Sequence, residues 1–586
     1  MTAAIHYRIS PADLQRHLFD VTLTISEPDA DGQQLWLPAW IPGSYLIRDF
    51  AKHLQWLNAE DDDANPIAIS KLGKARWQLA PCDGPVTVRY QIYAWDLSVR
   101  GAHLDETHGF FNGTSLCLAV AGQEDQAVAV TLEAPAQAPH WQVATGLPRN
   151  GTEPWQFGDY CAENYDALID YPVEMGDFEV VTFTAKGIPH HLVLTGHHYG
   201  DKNRLARDLA AICETQLDFF GGPEPFDEYW FLTMVTADSY GGLEHRNSTA
   251  LMIPRFGLNG SDYMDFMALC SHEYFHNWNV KRIKPAAFLP YQLEKESHSI
   301  QLWAYEGITS YFDDLMLHRA GLLDAQGYLD RLAKTFTRVQ RGSGRLLQSL
   351  ADSSFDAWTK FYQQDENAAN AIVSYYTKGA IMALCLDLTL RLRSEHRLSL
   401  DDVMGELWQR FGQQGIGTED HSHQQLAEEL LGEPLDAFFN HALHGTEDLP
   451  ARELLAAMGV SLAFAPASDD ADNGGSPGKE RPGRLTLGAR LSEQNGALLV
   501  QAVPHGSAAD KAGLAAGDTL VAIDGLRARS SQLAKLLSAI GERPVEVHAF
   551  RRDELMTFTL TPQQAASDTA VLQVTDATLL HGWLDA

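Results

Sequence analysis

One short motif restricts the local fold of this 586-residue chain more than any other feature: His-Glu-Tyr-Phe-His at positions 272–276. The preceding residues 266–270 include apolar side chains at helical spacing, so the motif is predicted to lie on an α-helix. Residues four positions apart share one face of a helix, which lets His272 and His276 point at the same ion. The motif therefore predicts a zinc site, with Glu273 facing the same cleft.

Two histidines do not complete such a site, because catalytic zinc usually takes three protein ligands and keeps a fourth position for water. The pattern H-E-x-x-H-x-x-G-x-x-H is excluded, since Asn279 and Arg282 stand where it needs Gly and His. A glutamate from a later helix is the other known arrangement, and the segment 303–311 supplies Glu306. We predict Glu306 as the third ligand of one Zn²⁺ per chain. The competing ligands in the polar stretch before it are Glu294, Glu296 and His298.

These residue types are suited to hydrolysis. A zinc ion polarises a carbonyl and lowers the pKa of water from about 15.7 towards about 7. Glu273, close to the metal but not bound to it, is predicted to take the proton from that water and pass it to the leaving amine. The oxyanion formed in the reaction needs a further donor on the opposite side, a role suited to Tyr or His.

The pattern along the chain indicates a multidomain α+β protein. Residues 21–25, 86–90 and 128–132 alternate with a two-residue period, which is typical of strands, whereas apolar residues three and four apart after about position 303 indicate helices. Residues 466–483 are rich in Asp, Gly, Ser and Pro, as in a flexible linker. The predicted divisions are 1–176 (β-rich N-terminal domain), 177–320 (catalytic domain), 321–465 (helical domain), 466–483 (linker), 484–565 (C-terminal domain) and 566–586 (tail).

Charge and composition exclude several classes of partner. With 44 Lys and Arg against 77 Asp and Glu, the net charge of −33 repels nucleic acids and anionic membrane surfaces. No stretch approaches the roughly 18 apolar residues of a membrane span, and no secretory signal opens the sequence. The six cysteines are scattered, as expected for reduced thiols. We therefore expect a soluble cytoplasmic protein with no nucleic-acid or membrane partner.

Several further segments resemble those of a known family. Residues 40–50 (WIPGSYLIRDF), 170–174 (DYPVE), 241–246 (GGLEHR) and the two predicted zinc segments are similar to those of the glycyl aminopeptidases. These are PDZ-containing zinc metallopeptidases of the gluzincin type, distantly similar to aminopeptidase N. The resemblance implies a thermolysin-like catalytic domain. It also implies removal of small N-terminal residues, such as Gly or Ala, from peptides with a free N-terminus.

The resemblance also implies roles for single residues. Gly241, Gly242 and Glu244 look like the edge strand of the aminopeptidase N class, whose glutamate binds the α-amino group of the substrate. That class has Asn where this chain has His245, and a structural role for Glu244 is the alternative. The segment 376–379 (YTKG) is similar to the one whose tyrosine stabilises the oxyanion. Tyr376 is therefore the candidate donor, with adjacent Tyr375 as the alternative.

The C-terminal domain is similar to PDZ modules through segments 503–509 and 512–518. PDZ domains bind an extended peptide as an added strand, so the resemblance implies a peptide C-terminus as a partner, with Leu487-Gly488 as the candidate for the carboxylate loop. Residues 40–50 are expected to form a stabilising loop, and lining of the substrate cleft is the alternative.

Two rival functions stay open at this stage. A zinc endopeptidase or oligopeptidase would use the same metal chemistry and leave Glu244 a structural role. A non-catalytic scaffold would keep a vestigial metal site and act through the PDZ-like domain.

Overall fold

The computed structural model describes residues 3–475 and 484–584 and divides into two units. The first consists of Met1–Ser297 and Leu407–Thr418, and the second of His298–Glu406 and Glu419–Ala586. The N-terminal part of the first unit forms strands because its apolar residues recur at every second position. In the first strand, for example, the side chains of Ile5, Tyr7 and Ile9 are buried and alternate with more exposed neighbours.

This N-terminal part is β-rich, as predicted. Its strands are β1 (Ile5–Asp13), β2 (Leu18–Ile25), β3 (Gln34–Trp36), β4 (Leu54–Asp61), β5 (Pro66–Ile67), β6 (Ile69–Gly73), β7 (Arg76–Leu79), β8 (Val86–Tyr93), β9 (Ala102–Leu104), β10 (His108–Phe111), β11 (Ala119–Val120), β12 (Val128–Leu132), β13 (Gln142–Thr145), β14 (Gly158–Ala162) and β15 (Val173–Gly176). They form a seven-stranded sheet in the order β14-β12-β1-β2-β8-β4-β5 and two four-stranded sheets, β13-β15-β10-β9 and β11-β3-β7-β6. Two short helices, α1 (Gly113–Leu116) and α2 (Tyr165–Ile169), connect them.

The rest of the first unit contains a five-stranded mixed sheet and two helices. The strands are β16 (Glu179–Ala185), β17 (Ile188–Thr195), β18 (Tyr229–Thr236), β19 (Gly241–Glu244) and β20 (Ser248–Pro254), in the order β16-β17-β18-β20-β19. Strand β18 is parallel to both of its neighbours, and almost all of its side chains are buried, as expected for a strand covered on both faces. Strand β19 is antiparallel to β20 and lies at the edge of the sheet.

Helices α3 (Lys202–Phe220) and α4 (Tyr263–Phe275) pack against each other. The side chain of Asp201 caps α3 by accepting hydrogen bonds from the backbone N–H groups of Asn203 and Arg204. The buried positions of α3 recur every three or four residues, so one face of the helix is apolar. Helix α4 is almost completely buried, which fixes the motif that it carries.

The second unit begins with helices, as predicted for this part of the chain. A π-helical turn (Trp303–Gly307) precedes them. The helices are α5 (Ile308–Arg319), α6 (Ala325–Arg341), α7 (Leu350–Phe355), α8 (Ala368–Ala371), α9 (Thr377–Arg393), α10 (Leu400–Leu407), α11 (Ser422–Leu431), α12 (Asp436–Phe439) and α13 (Ala451–Ala457). Among the described residues, no helix is both long and apolar enough to cross a membrane.

The C-terminal part of the second unit forms an antiparallel sheet with two helices. Its elements are β22 (Leu485–Thr486), β23 (Arg490–Gln494), β24 (Ala497–Ala502), α14 (Ala508–Ala512), β25 (Thr519–Ile523), β26 (Leu526–Arg527), α15 (Ser530–Ile540), β27 (Val545–Arg551), β28 (Glu554–Leu560) and β29 (Gln563–Gln564). The main sheet has the order β23-β24-β25-β27-β28, and β26 pairs with β25. Its buried residues form a hydrophobic core of their own.

The segments on either side of this sheet differ from the predicted linker and tail. The predicted linker starts at Pro466, which is the last residue of β21 (Val460–Pro466), and its residues 476–483 lie outside the described part of the chain. The predicted tail contains β30 (Ser567–Val574), which pairs with β21, and α16 (Ala577–Leu584). Apolar side chains explain the difference, because Leu572 and Trp583 are fully buried.

Candidate active site

Helix α4 holds the His-Glu-x-x-His motif at its C-terminal end. The side-chain amide of Gln216, from α3, donates hydrogen bonds of 2.9 Å to both the carbonyl oxygen and the hydroxyl of Ser271. One turn later, Tyr274 is hydrogen-bonded to the ring of His190 at 2.9 Å. Ser271 and Tyr274 are buried and flank His272 in the sequence. Their hydrogen bonds therefore fix the orientation of the helix at the motif.

The two histidines of the motif lie side by side. Their ring centroids lie 4.6 Å apart with the ring planes at 86°. The Nδ1–H group of His276 donates a 2.8 Å hydrogen bond to the carbonyl oxygen of Asn279, which orients the ring and directs Nε2 towards a metal. His276 is almost fully buried, and His272 is half-buried.

The predicted third ligand, Glu306, lies in the second unit and is almost fully buried. Two of the competing residues have other partners: Glu294 forms an ion pair with Arg76 at 2.5 Å, and His298 is hydrogen-bonded to the carbonyl oxygen of Phe355. The third competitor, Glu296, is exposed. Two imidazoles and one buried carboxylate fit the donor set of catalytic zinc.

Two glycines position Glu306 beside Tyr376. Glu306 lies on the π-helical turn, an irregularity that is frequent at functional sites. A Cβ atom on the next residue, Gly307, would lie 2.6 Å from backbone atoms of Gly379 at the start of α9. The backbones of Gly307 and Gly379 are therefore in contact at a point where only glycine fits. This contact brings together the pairs Glu306-Gly307 and Lys378-Gly379. The sequence alone does not show that these two pairs contact each other.

Of the two adjacent tyrosines, Tyr376 is the better placed to donate to a substrate. Its side chain is half-buried, whereas Tyr375 is fully buried. Burial and the carboxylate of Glu306 raise the pKa of Tyr376 well above its usual value. The hydroxyl therefore keeps its proton at neutral pH and can act as a hydrogen-bond donor.

Glu244 ends the edge strand β19 and lies next to the motif. One carboxylate oxygen of Glu244, one carboxylate oxygen of Glu273 and a ring nitrogen of His276 lie within 4.8 Å of one another. Glu244 is only 4% exposed, and its Oε1 atom has no hydrogen-bond partner among the described residues. Burying an unpaired carboxylate oxygen is costly, so this position favours a cationic ligand.

The glycine two positions before Glu244 allows the strand to approach the motif. A Cβ atom on Gly242 would lie 2.1 Å from a carboxylate oxygen of Glu273. The carbonyl oxygen of Gly242 accepts a 3.3 Å hydrogen bond from the guanidinium of Arg100, in the β-rich part of the unit. The strand is thus held against Glu273, and sequence reasoning missed both contacts.

Gly242→Ala should displace the carboxylate of Glu273 and lower kcat by about tenfold to 100-fold, since a shift of about 1 Å costs rate on that scale. Thermal unfolding should change little if the carboxylate moves away. Gly405→Ala is the matched control, because nothing lies within 4 Å of its Cβ position on α10. The control should keep full activity and gain about 0.5 kcal/mol of stability. Equal kcat values in the two variants would contradict the steric argument.

The segment 40–50 approaches the carboxylate of Glu244. Gly43 adopts φ +91°, and a Cβ atom there would lie 2.6 Å from both carboxylate oxygens of Glu244. Its expected role as a stabilising loop is therefore incomplete, because the loop also lines the space around Glu244. The sequence signal that could have revealed this is a glycine inside an aromatic segment, because glycine adopts positive φ more readily than other residues.

A buried charge network lies behind the strand. Asp170 accepts hydrogen bonds from Lys281 Nζ at 2.6 Å, Arg246 Nε at 2.8 Å and His245 Nδ1 at 3.2 Å. Lys281, Arg246 and His245 hold the pKa of Asp170 well below its usual range despite its burial. His245 therefore anchors the strand end next to Glu244, which gives a structural reason for histidine at this position.

Two family models match parts of the chain. Residues 6–177 match the model of the peptidase M61 N-terminal domain, and residues 265–382 match the model of M61 glycyl aminopeptidase. The search of curated proteins found no match. The crystal structure of an aminopeptidase N family protein from Idiomarina loihiensis is 50% identical, with a TM-score of 0.96, and the match covers 99% of this chain and 100% of that one.

A more distant solved structure is similar in fold alone. It is an M1 zinc metallopeptidase mutant from Deinococcus radiodurans bound to a Tyr-Ser-Ala substrate. The identity is 13% and the TM-score 0.50, and the match covers 76% of this chain and 94% of that one.

Proposed function

Because the chain belongs to the M61 glycyl aminopeptidase family of metallopeptidases, we propose that it is a zinc-dependent aminopeptidase. It would release small N-terminal residues, such as Gly or Ala, from peptides with a free N-terminus. The observation that carries the proposal is the buried carboxylate of Glu244, which lies beside Glu273 and has an oxygen without a hydrogen-bond partner among the described residues. The preference for Gly or Ala rests on the family description.

His272, His276 and Glu306 would hold the zinc ion. Support comes from the orientation of His276 by Asn279 and the burial of Glu306. When bound, zinc supplies a Lewis acid for the scissile carbonyl and acidifies water at neutral pH.

Glu273 and Tyr376 would carry out the proton transfer and the charge stabilisation. Glu273 accepts a proton from the attacking water and delivers it to the leaving amine. Tyr376 donates a hydrogen bond to the oxygen that becomes negatively charged, and its raised pKa keeps the proton on the hydroxyl.

Glu244 would make the enzyme act from the N-terminus. A fixed carboxylate can pair with the substrate ammonium and so place the first peptide bond beside Glu273. The edge position of β19 supports this role, because an unpaired strand edge can take up an extended peptide. Gly241 and Gly242 leave that edge without side chains.

The test compares free-amine substrates with blocked ones. Gly-, Ala- and Leu-p-nitroanilide and their N-acetylated forms would be assayed under the same conditions. An aminopeptidase should cleave only the free-amine series, with Gly and Ala ahead of Leu. Equal cleavage of the acetylated series would favour the endopeptidase alternative, and absence of zinc and of hydrolysis would favour the scaffold.

Glu244→Gln should reduce kcat/KM for Ala-p-nitroanilide by about 30-fold or more. Loss of one charge from a buried ion pair costs about 2 kcal/mol or more. Glu163→Gln removes an exposed carboxylate from the same unit and should leave kcat/KM unchanged. Glu244→Gln activity equal to that of the control would assign Glu244 a structural role.

Two domain assignments belong to the same proposal. The mixed sheet with α3 and α4 would be a thermolysin-like catalytic domain. The sheet between residues 484 and 565 would be a PDZ-like domain that binds a peptide C-terminus. The antiparallel sheet, its two helices and a Gly488 with φ +71° in the candidate carboxylate loop support the second assignment.

A further inference from the structure

A cavity of about 500 Å³ in the first unit has no role in the proposed reaction. Four cationic side chains line it, although the chain as a whole carries a net charge of −33. They are Arg246, Lys281, Arg282 and Lys284. The volume lies within the range of small-molecule binding sites.

Two of the four cations already have carboxylate partners. Lys281 and Arg246 pair with Asp170, and Arg246 also pairs with Asp166. Asp166 and the exposed Glu224 are the carboxylates that line the cavity. The positive charge of this first pair is therefore largely compensated.

The other two cations have no such partner. Arg282 donates hydrogen bonds only to the carbonyl oxygens of Arg246, Asn277 and Pro225 in the described part of the chain. Lys284 is 7% exposed, and no described carboxylate forms an ion pair with it. Its Nζ atom lies 4.9 Å from the ring centroid of Tyr291, a cation–π contact that brings no neutralising negative charge.

The surroundings of these two side chains disfavour their charged forms. Burial, with Lys281 and Arg246 nearby, lowers the pKa of Lys284 to about 7. Burial and Arg246 lower the pKa of Arg282 to about 10. Buried charges are normally paired, so two cations that face a cavity without counter-ions favour an anionic ligand.

We propose that this cavity binds a tetrahedral oxyanion, with inorganic phosphate as its simplest form. A guanidinium and an ammonium group that line the same cavity provide the donors and charge that phosphate needs. Arg282 and Lys284 form the site, and Asp166 stays paired with Arg246.

The site is linked to the active centre through the chain itself. Residues 276–284 carry His276 at one end and Lys281, Arg282 and Lys284 at the other. The backbone N–H of Lys281 donates to the carbonyl oxygen of His276 at 3.1 Å. Anion binding should therefore stabilise this segment and raise the unfolding temperature.

The first test measures phosphate binding to the full-length protein by calorimetry and thermal unfolding. Sodium chloride at equal ionic strength controls for screening, and sodium acetate separates a tetrahedral oxyanion from a carboxylate. Phosphate should bind and raise the unfolding temperature more than either salt.

Lys284→Met should weaken phosphate binding at least tenfold, and Lys284→Arg should retain it. Lys334→Met, which removes an exposed lysine, should bind like the wild type. No binding to the wild type, or equal binding to Lys284→Met, would overturn the proposal.

A second measurement needs no variant and covers a failure of Lys284→Met to fold. At pH near 7 the lowered pKa leaves part of the Lys284 amine neutral and reactive towards formaldehyde and cyanoborohydride. Phosphate should protect Lys284 from reductive methylation, as measured by peptide mass mapping, and leave Lys334 unprotected. Phosphate bound at a metal instead would leave Lys284 equally labelled with and without it, and that result would refute the site.

Discussion

Glu273→Gln should lower kcat for Ala-p-nitroanilide by about 10²- to 10⁴-fold while the protein stays folded and keeps its metal. Glutamine has nearly the same shape as glutamate but cannot take a proton from water. Because Glu273 is proposed as the base and not as a metal ligand, the zinc content should not fall. The measurements are kcat and metal analysis of the same preparation.

Glu214→Gln is the matched control for this variant. Glu214 is an exposed glutamate on α3, in the same unit, and its replacement should leave both activity and metal content unchanged. If Glu273→Gln kept the activity of the control, Glu273 would not be the base. Loss of zinc together with activity would instead assign Glu273 to the metal.

Glu306→Ala should remove most of the bound zinc and, with it, the peptidase activity. Two imidazoles alone leave the ion without its third ligand. Loss of an outer-shell partner already costs about 10- to 100-fold in affinity, so loss of a ligand should cost more. Metal analysis after dialysis, with circular dichroism as the check of folding, measures the effect.

Glu296→Ala is the control, because Glu296 is an exposed competitor from the sequence analysis. It should retain about one zinc ion per chain. The opposite result, with zinc kept in Glu306→Ala and lost in Glu296→Ala, would place the third ligand in the loop before the π-helical turn.

Much of the fold class could be predicted because it depends on local patterns. A two-residue alternation of apolar side chains gave the β-rich N-terminal part, and three- and four-residue spacing gave the helical part of the second unit. The linker and the tail were harder to predict. The predicted linker begins in a strand, β21, that pairs with β30 in the predicted tail, about 100 residues away, and nothing local in either sequence specifies that partner.

The residues of the candidate site also differ in whether local sequence patterns could select them. Helical spacing is enough to place His272 and His276 on one face. Its place in a predicted later helix favoured Glu306, while Glu294, Glu296 and His298 stayed open as competitors. The roles of these residues as zinc ligands stay predictions. Resemblance to a family, rather than spacing, selected Glu244 and Tyr376.

The sequence by itself determined the type of chemistry, because the spacing of a motif on one helix fixes which side chains share a face. Only the tertiary structure decided how closely Gly43 and Gly242 approach the carboxylates, and which cations around the cavity lack a carboxylate partner among the described residues. These properties arise from packing between segments far apart in the chain. Arg246 and Lys284 acquire their common environment only when the loops that carry them are folded against each other.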